Sequence, residues 1–158
     1  MPTTTPIPST ADRITRLLVT ADSLLTNPLG AQLTTAGRHR GAAYALRIAL
    51  ELAIAAALKP RNAKLPELNM RAQRLCLRHY AGHDLAYRVD ALYAQLCRGC
   101  KYHHDELGPS EAQVRDWGEE VAALSRELAG SVAVPSFPAQ AGPDRTAAAD
   151  AGVQPSAG

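Results

Sequence analysis

Ala42-Ala43-Tyr44-Ala45-Leu46-Arg47-Ile48-Ala49-Leu50-Glu51-Leu52-Ala53-Ile54-Ala55-Ala56-Ala57-Leu58 is the stretch that decides the fold. A half-buried strand alternates apolar and polar residues, and this run does not. Laid on a helix of about 3.6 residues per turn, it is apolar at nearly every angle, as a helix enclosed by neighbours is. The main polar line of the helix it belongs to is Arg40, Tyr44, Arg47 and Glu51, at steps of four, three and four. Arg47 and Glu51 can pair across one turn, worth about 0.3–0.5 kcal/mol. The run holds both charges and is shorter than the ~20 apolar residues that cross a bilayer, so a core helix over about 36–58 is expected. Lys59-Pro60 stops it.

The rest of the chain must supply the cover. Residues 1–8, with three prolines and no period, read as a flexible arm. Ser9 or Thr10 caps a first helix with Ile14, Leu17, Leu18, Ala21, Leu24 and Leu25 on one face, and Asn27-Pro28 ends it. After a loop to about Leu68, a third helix is expected over about 69–80. Leu75 and Leu77 are read as inward, and Arg71, Arg74 and Arg78 lie along one edge. Gly82 breaks this helix. Asp84 is placed to cap a fourth, whose inward stripe is Leu85, Val89, Leu92, Leu96 and Cys100 and whose terminator is Gly108-Pro109. Ser110-x-x-Gln113 is a capping box that opens a fifth helix, with Val114, Trp117, Val121, Leu124 and Leu128 on its face. Residues 130–158, rich in Ala, Gly, Pro and Ser, read as a disordered tail. The expected architecture is all-α: an antiparallel bundle of about five helices over residues 9–129, with a disordered N-terminal arm and C-terminal tail.

The 158 residues carry a formal charge of +2, so no global field demands a nucleic-acid or membrane partner, and any basic footprint is local. Three cysteines is an odd number, and no secretory signal precedes them; a reduced, cytoplasmic protein is the expectation. Fourteen of the seventeen basic residues are arginine, which with the many alanines suggests a GC-rich genome.

Reactive side chains crowd together in Cys97-Arg98-Gly99-Cys100-Lys101-Tyr102-His103-His104-Asp105. On a helix, Cys97, Cys100 and His104 share a face, a start for a zinc site. A fourth ligand would have to be Cys76, but helices turning back at Gly82 set Cys76 and Cys97 roughly 13 Å apart in level, too far for one ion. No metal and no cofactor is therefore expected. A redox role is disfavoured because both thiols lie toward the C-terminal end of their helix, where the dipole opposes a thiolate. They read as small core residues. Arg98 with His103, or His104, remains: a permanent cation for phosphate and a proton carrier near neutral pH. RNA cleavage by internal transfer needs a base for the 2′-hydroxyl, an acid for the leaving oxygen and a cation for the phosphorane. In an unbroken helix His103 points about 140° away from Arg98. The pair converges only where the helix loosens, the Arg reaches round, or a second chain completes the site.

Arg98-Gly-Cys-Lys-Tyr-His103 resembles the Arg-x4–6-His signature of the HEPN superfamily, small all-helical domains that include many RNases. The placement is similar too, with the motif closing a late helix before a Pro-containing turn and one final helix. The resemblance implies a HEPN-like, metal-independent endoribonuclease cutting single-stranded RNA as a homodimer. In it Arg98 and His103, with His104 in reserve, line one cleft. It also implies a bacterial toxin–antitoxin or phage-defence setting, with an antitoxin or regulatory protein as partner. Gly99 stands where members often carry a polar residue after the Arg. Arg71, Arg74, Arg78 and Lys101 are the candidate RNA-contacting residues, against the plainer reading of a solvated face. Tyr87, Tyr93 and Trp117 are read as packing groups, and His39 as a surface residue at a helix start. The alternative function is a non-catalytic HEPN-like dimerisation or protein-interaction module.

Overall fold

The structure, a computed structural model, describes residues 1, 7–26, 33–101 and 108–131. Its regular elements are helices: α1 (Thr10–Thr26), α2 (Thr35–Leu58), α3 (Met70–Ala81), α4 (His83–Cys100) and α5 (Glu111–Ser131). A single 3-10 turn at Leu65–Glu67 precedes α3, and no strand occurs among the described residues.

Four of these helices begin on a side-chain cap. The Ser9 hydroxyl accepts from the Asp12 N–H at 3.1 Å, and the Asp12 carboxylate accepts in return from the Ser9 N–H at 3.1 Å. Thr34 accepts from Gly37 at 3.1 Å, Asn69 from Ala72 at 3.0 Å, and Ser110 from Gln113 at 3.2 Å. The exception is α4. Asp84 does not cap it; Gly82 does, at φ 89° and ψ 161°, and its carbonyl accepts from Ala86 at 3.2 Å. The chain reverses within this one residue, which leaves α4 starting at His83, before Asp84.

The core forms around α2, which packs against α1, α3, α4 and α5. Ala42, Ala43, Leu46, Ala49, Leu50, Ile54 and Leu58 are all buried, on several sides of the helix. The alanines let neighbouring backbones come close, and each enclosed Leu or Ile contributes about 1.5–3 kcal/mol of apolar transfer. The whole helix is long and apolar enough to cross a membrane by length and composition. The shorter run at 42–58 falls below that length; the turns before it make the difference. In the fold, more than half of the helix's apolar stretch is buried inside the bundle.

Contacts set the helix directions. His39 Nδ1 meets the Pro109 carbonyl at 2.9 Å, Leu46 lies beside Gly118, and Arg61 donates to the Ser131 carbonyl at 3.1 Å, so α5 runs alongside α2 in the same sense. Gly99 lies against Ala43 and Tyr93 against Glu51, so α4 runs the other way. One end of the molecule therefore gathers the start of α2, the end of α4 and the start of α5.

The inward stripes of α4 and α5 match the periodicity: Val89, Leu92, Leu96, Val114, Trp117, Val121, Leu124 and Leu128 are buried, with Leu85 and Cys100 packed on the edge. Several expectations are corrected. Leu75 is 55% exposed, since only one of two residues separated by 200° on a helix can face inward, and Leu77 takes that place. The same geometry turns Tyr87 outward, two residues before Val89, at 72% exposure; it is not a packing group. The α4 helix ends at Cys100, well before Gly108-Pro109, and α5 continues past residue 129 to Ser131, whose hydroxyl donates to the Leu128 carbonyl at 2.8 Å. His39 is half-buried and its Nδ1–H holds α2 to α5. The arm expected at 1–8 and the tail at 130–158 lie mostly outside the described residues.

Candidate functional site

The gathered end of the bundle holds the residues with the most chemistry. The last turn of α4 presents Arg98 to solvent, and the chain leaves helical geometry directly after Cys100. Lys101 is extended, at φ −76° and ψ 140°, with its N–H donating to the Arg98 carbonyl at 3.2 Å. Neither Arg98 nor Lys101 forms an ion pair with a described residue, and both are exposed. His103 and His104 lie outside the described residues.

Gly99 is buried for a specific reason. A Cβ built on it would stand 2.7 Å and 2.9 Å from two carbons of the Trp117 ring. The absence of a side chain lets the indole press close against α4, and its Nε1–H donates to Gln95 Oε1 at 2.8 Å. A polar residue at position 99 would collide with Trp117, which accounts for the glycine after Arg98. This wedge builds one wall of a groove of about 360 Å³ lined by Gln95, Arg98, Gly99, Gly108, Pro109, Gln113 and Trp117. Its far rim is held by the start of α2, where a Cβ built on Gly108 would stand 3.5 Å from the Arg40 guanidinium and Pro109 accepts from His39.

Behind α4, toward α3, runs a connected polar seam. Arg47 pairs with Glu51 at 3.4 Å and lies 5.0 Å from the centre of the Tyr44 ring. The Tyr93 hydroxyl donates to Glu51 at 3.0 Å. Burial, then this bond to an anion, pushes the Tyr93 hydroxyl well above its ordinary range. Arg74 lies over the Tyr93 ring at 4.4 Å and donates to Asp90 at 2.8 Å. Arg78 reaches the same carboxylate at 3.2 Å. Burial also raises the Cys100 thiol, so the neutral side chain packs beside Arg47. All three cysteines are free and partly buried. Among the described residues no group of three His, Cys, Asp or Glu side chains could hold a metal ion.

The candidate RNA-contacting residues fall into two sets. Arg71, Arg74 and Arg78 share one face of α3 and line a shallow groove of about 180 Å³ with Leu75 and Asp90. Within it Arg74 and Arg78 already share Asp90, while Arg71 is exposed and makes no ion pair with a described residue. Arg98 lies exposed on the last turn of α4, one turn beyond the exposed Ala94, and Lys101 follows it in extended geometry just past the helix end. Gln95 and Trp117 are the site residues that the sequence reading missed as site-formers. They lie 22 positions apart, and no local pattern announces that they meet. No protein-family model, curated protein or solved structure matches the chain.

Proposed function

We propose that this chain is a HEPN-like, metal-independent endoribonuclease acting on single-stranded RNA as a homodimer, with Arg98 stabilising phosphate charge and His103 or His104 moving the proton. The observation that carries the reading is the end of α4 at Cys100, between the two members of the motif. An unbroken helix would hold His103 about 140° from Arg98, and the extended Lys101 removes that constraint. An exposed guanidinium with no carboxylate among the described residues to neutralise it, at the rim of a polar groove, supports a phosphate contact. The all-helical fold, with a final helix after a Gly-Pro turn, is compatible with the family. A cytoplasmic toxin–antitoxin or phage-defence setting, with an antitoxin or regulatory partner, belongs to the same proposal.

The test is cleavage of single-stranded RNA by the purified chain in EDTA. Cutting is expected, with loss of about a hundredfold or more in Arg98→Ala and His103→Ala. Intact RNA across several substrates, from a chain verified as a dimer, would falsify the reading. One observation favours a second reading, a protein-docking module. Tyr87, Ala91 and Ala94 lie exposed on α4 at steps of four and three, a narrow face on which a partner helix could sit. Biological activity that survives His103→Ala but is lost on Tyr87→Asp would select it.

A further inference from the structure

We propose that the groove beside Arg98 is a mononucleotide pocket that selects a keto base, guanine or uracil, on the nucleotide whose phosphate Arg98 contacts. Only the role of Arg98 rests on the ribonuclease reading; the base pocket stands on its own residues.

The argument begins at Trp117. An indole N–H can only donate, so Gln95 must turn its Oε1 toward the ring, as it does at 2.8 Å. That fixes the other end of the amide. Its Nε2 keeps two N–H donors, and no described residue accepts from them. Gln95 lines the groove beside Arg98, and in the proposed pocket these two donors turn toward that space. At about 360 Å³ the space falls at the small end of ligand pockets, which run from about 300 to 1,000 Å³. It suits one base rather than a folded oligonucleotide.

The bases divide on the group they offer to such a wall. Guanine carries a carbonyl at position 6 and uracil one at position 4; adenine and cytosine carry an amino group at the corresponding places. At that position a keto oxygen completes the Gln95 amide, whereas an amino group sets donor against donor, so adenine must shift to a ring nitrogen, and cytosine to a ring nitrogen or its 2-carbonyl, to pair. Gln113, exposed on the facing wall, can turn either way and so does not discriminate. Arg98 at the rim is placed for the phosphate of the same nucleotide.

Trp117 is the only tryptophan in the chain and lines the groove, so its emission reports occupancy without any need for cleavage. GMP, UMP, AMP and CMP would be titrated into the full chain. The expected result is binding of GMP and UMP about fivefold tighter than AMP and CMP, the size of one net hydrogen bond. Gln95→Glu keeps an oxygen for Trp117 and replaces both donors, and should invert or erase the ranking. Gln95→Met should erase it in case the charged variant is unstable. Arg98→Ala should weaken all four nucleotides alike and keep the ranking. Equal affinities in the wild-type chain, a ranking unchanged in both Gln95 variants that fold, or no emission change with any nucleotide would each overturn the proposal. Uncut RNA with the ranking intact would remove the ribonuclease reading and leave the pocket.

Discussion

Replacing Gly99 by alanine tests the wedge that shapes the groove. The new Cβ would sit 2.7 Å and 2.9 Å from two Trp117 ring carbons, where carbon atoms prefer about 3.5–4.0 Å, and 3.6 Å from the Ala43 Cβ. Trp117 has little room to withdraw, being 6% exposed and tied to Gln95. Overpacking of this kind costs about 1–3 kcal/mol. Alanine recovers up to about 0.8–1 kcal/mol in helix propensity over glycine, less in a last turn. The net loss should be about 1–2 kcal/mol, or a fall in Tm of about 4–8 °C for a domain of this size. Urea unfolding followed by circular dichroism measures it, with Trp117 emission as the local probe. A double-mutant cycle sharpens the assay, because Trp117→Phe removes the outer ring carbons. In that background Gly99→Ala should be neutral or slightly stabilising, a coupling of about 1–2 kcal/mol. An unchanged Tm in Gly99→Ala, or a coupling near zero, would refute the contact and with it the account of why a glycine follows Arg98.

Gly82→Ala should cost about 1–3 kcal/mol in urea unfolding, and Gly82→Asn about as much. Position 82 occupies a backbone region that almost only glycine enters, and no atom lies within 4 Å of a Cβ there to add a clash. Tyr93→Phe removes the donor to Glu51 and should lose about 1 kcal/mol at neutral pH. It should also flatten the alkaline limb of stability. The folded-state value of Tyr93 is raised, so its contribution is full below the unfolded value of 10 and is lost as pH rises above it. The raised Cys100 thiol adds a loss that begins near its unfolded value of 9. Urea midpoints from pH 8 to 11 would show both limbs in the wild type and only the second in Tyr93→Phe.

The sequence was most legible where one helix face does one job. The five-residue stripe of α5 is buried throughout, and Ser9 and Ser110 start their helices as local capping rules require. Legibility failed where two signals competed within a turn. Leu75 and Leu77 are both apolar, but a helix of this period can bury only one of them. Asp84 is a good cap residue that lost its place to the reversal at Gly82. Gln73 is polar yet 5% exposed, because its amide donates to the carbonyls of Pro66 and Leu68 and ties down the turn before α3. At the candidate site, Arg98 was visible as a charge near a histidine. The groove was not, since it depends on an indole from α5 lying on a glycine of α4, and separation along the chain hides that pairing. The arginine edge of α3 was visible as a row of cations, but not the carboxylate of α4 that two of them share.

The parallel course of α2 and α5 has a consequence for how the chain is made. Contacts such as His39 with Pro109 close over 70 residues, so one flank of α2 waits for the last described helix before it is covered. At synthesis rates of about 5–20 residues per second, that wait lasts roughly 4–14 s after α2 is complete. During it, a segment as oily as a membrane anchor is presented outside the ribosome with only α1, α3 and α4 to shield it. Loss of α5 through a premature stop would make that transient state permanent, and such a product should be cleared or sequestered rather than accumulate as a shortened folded protein.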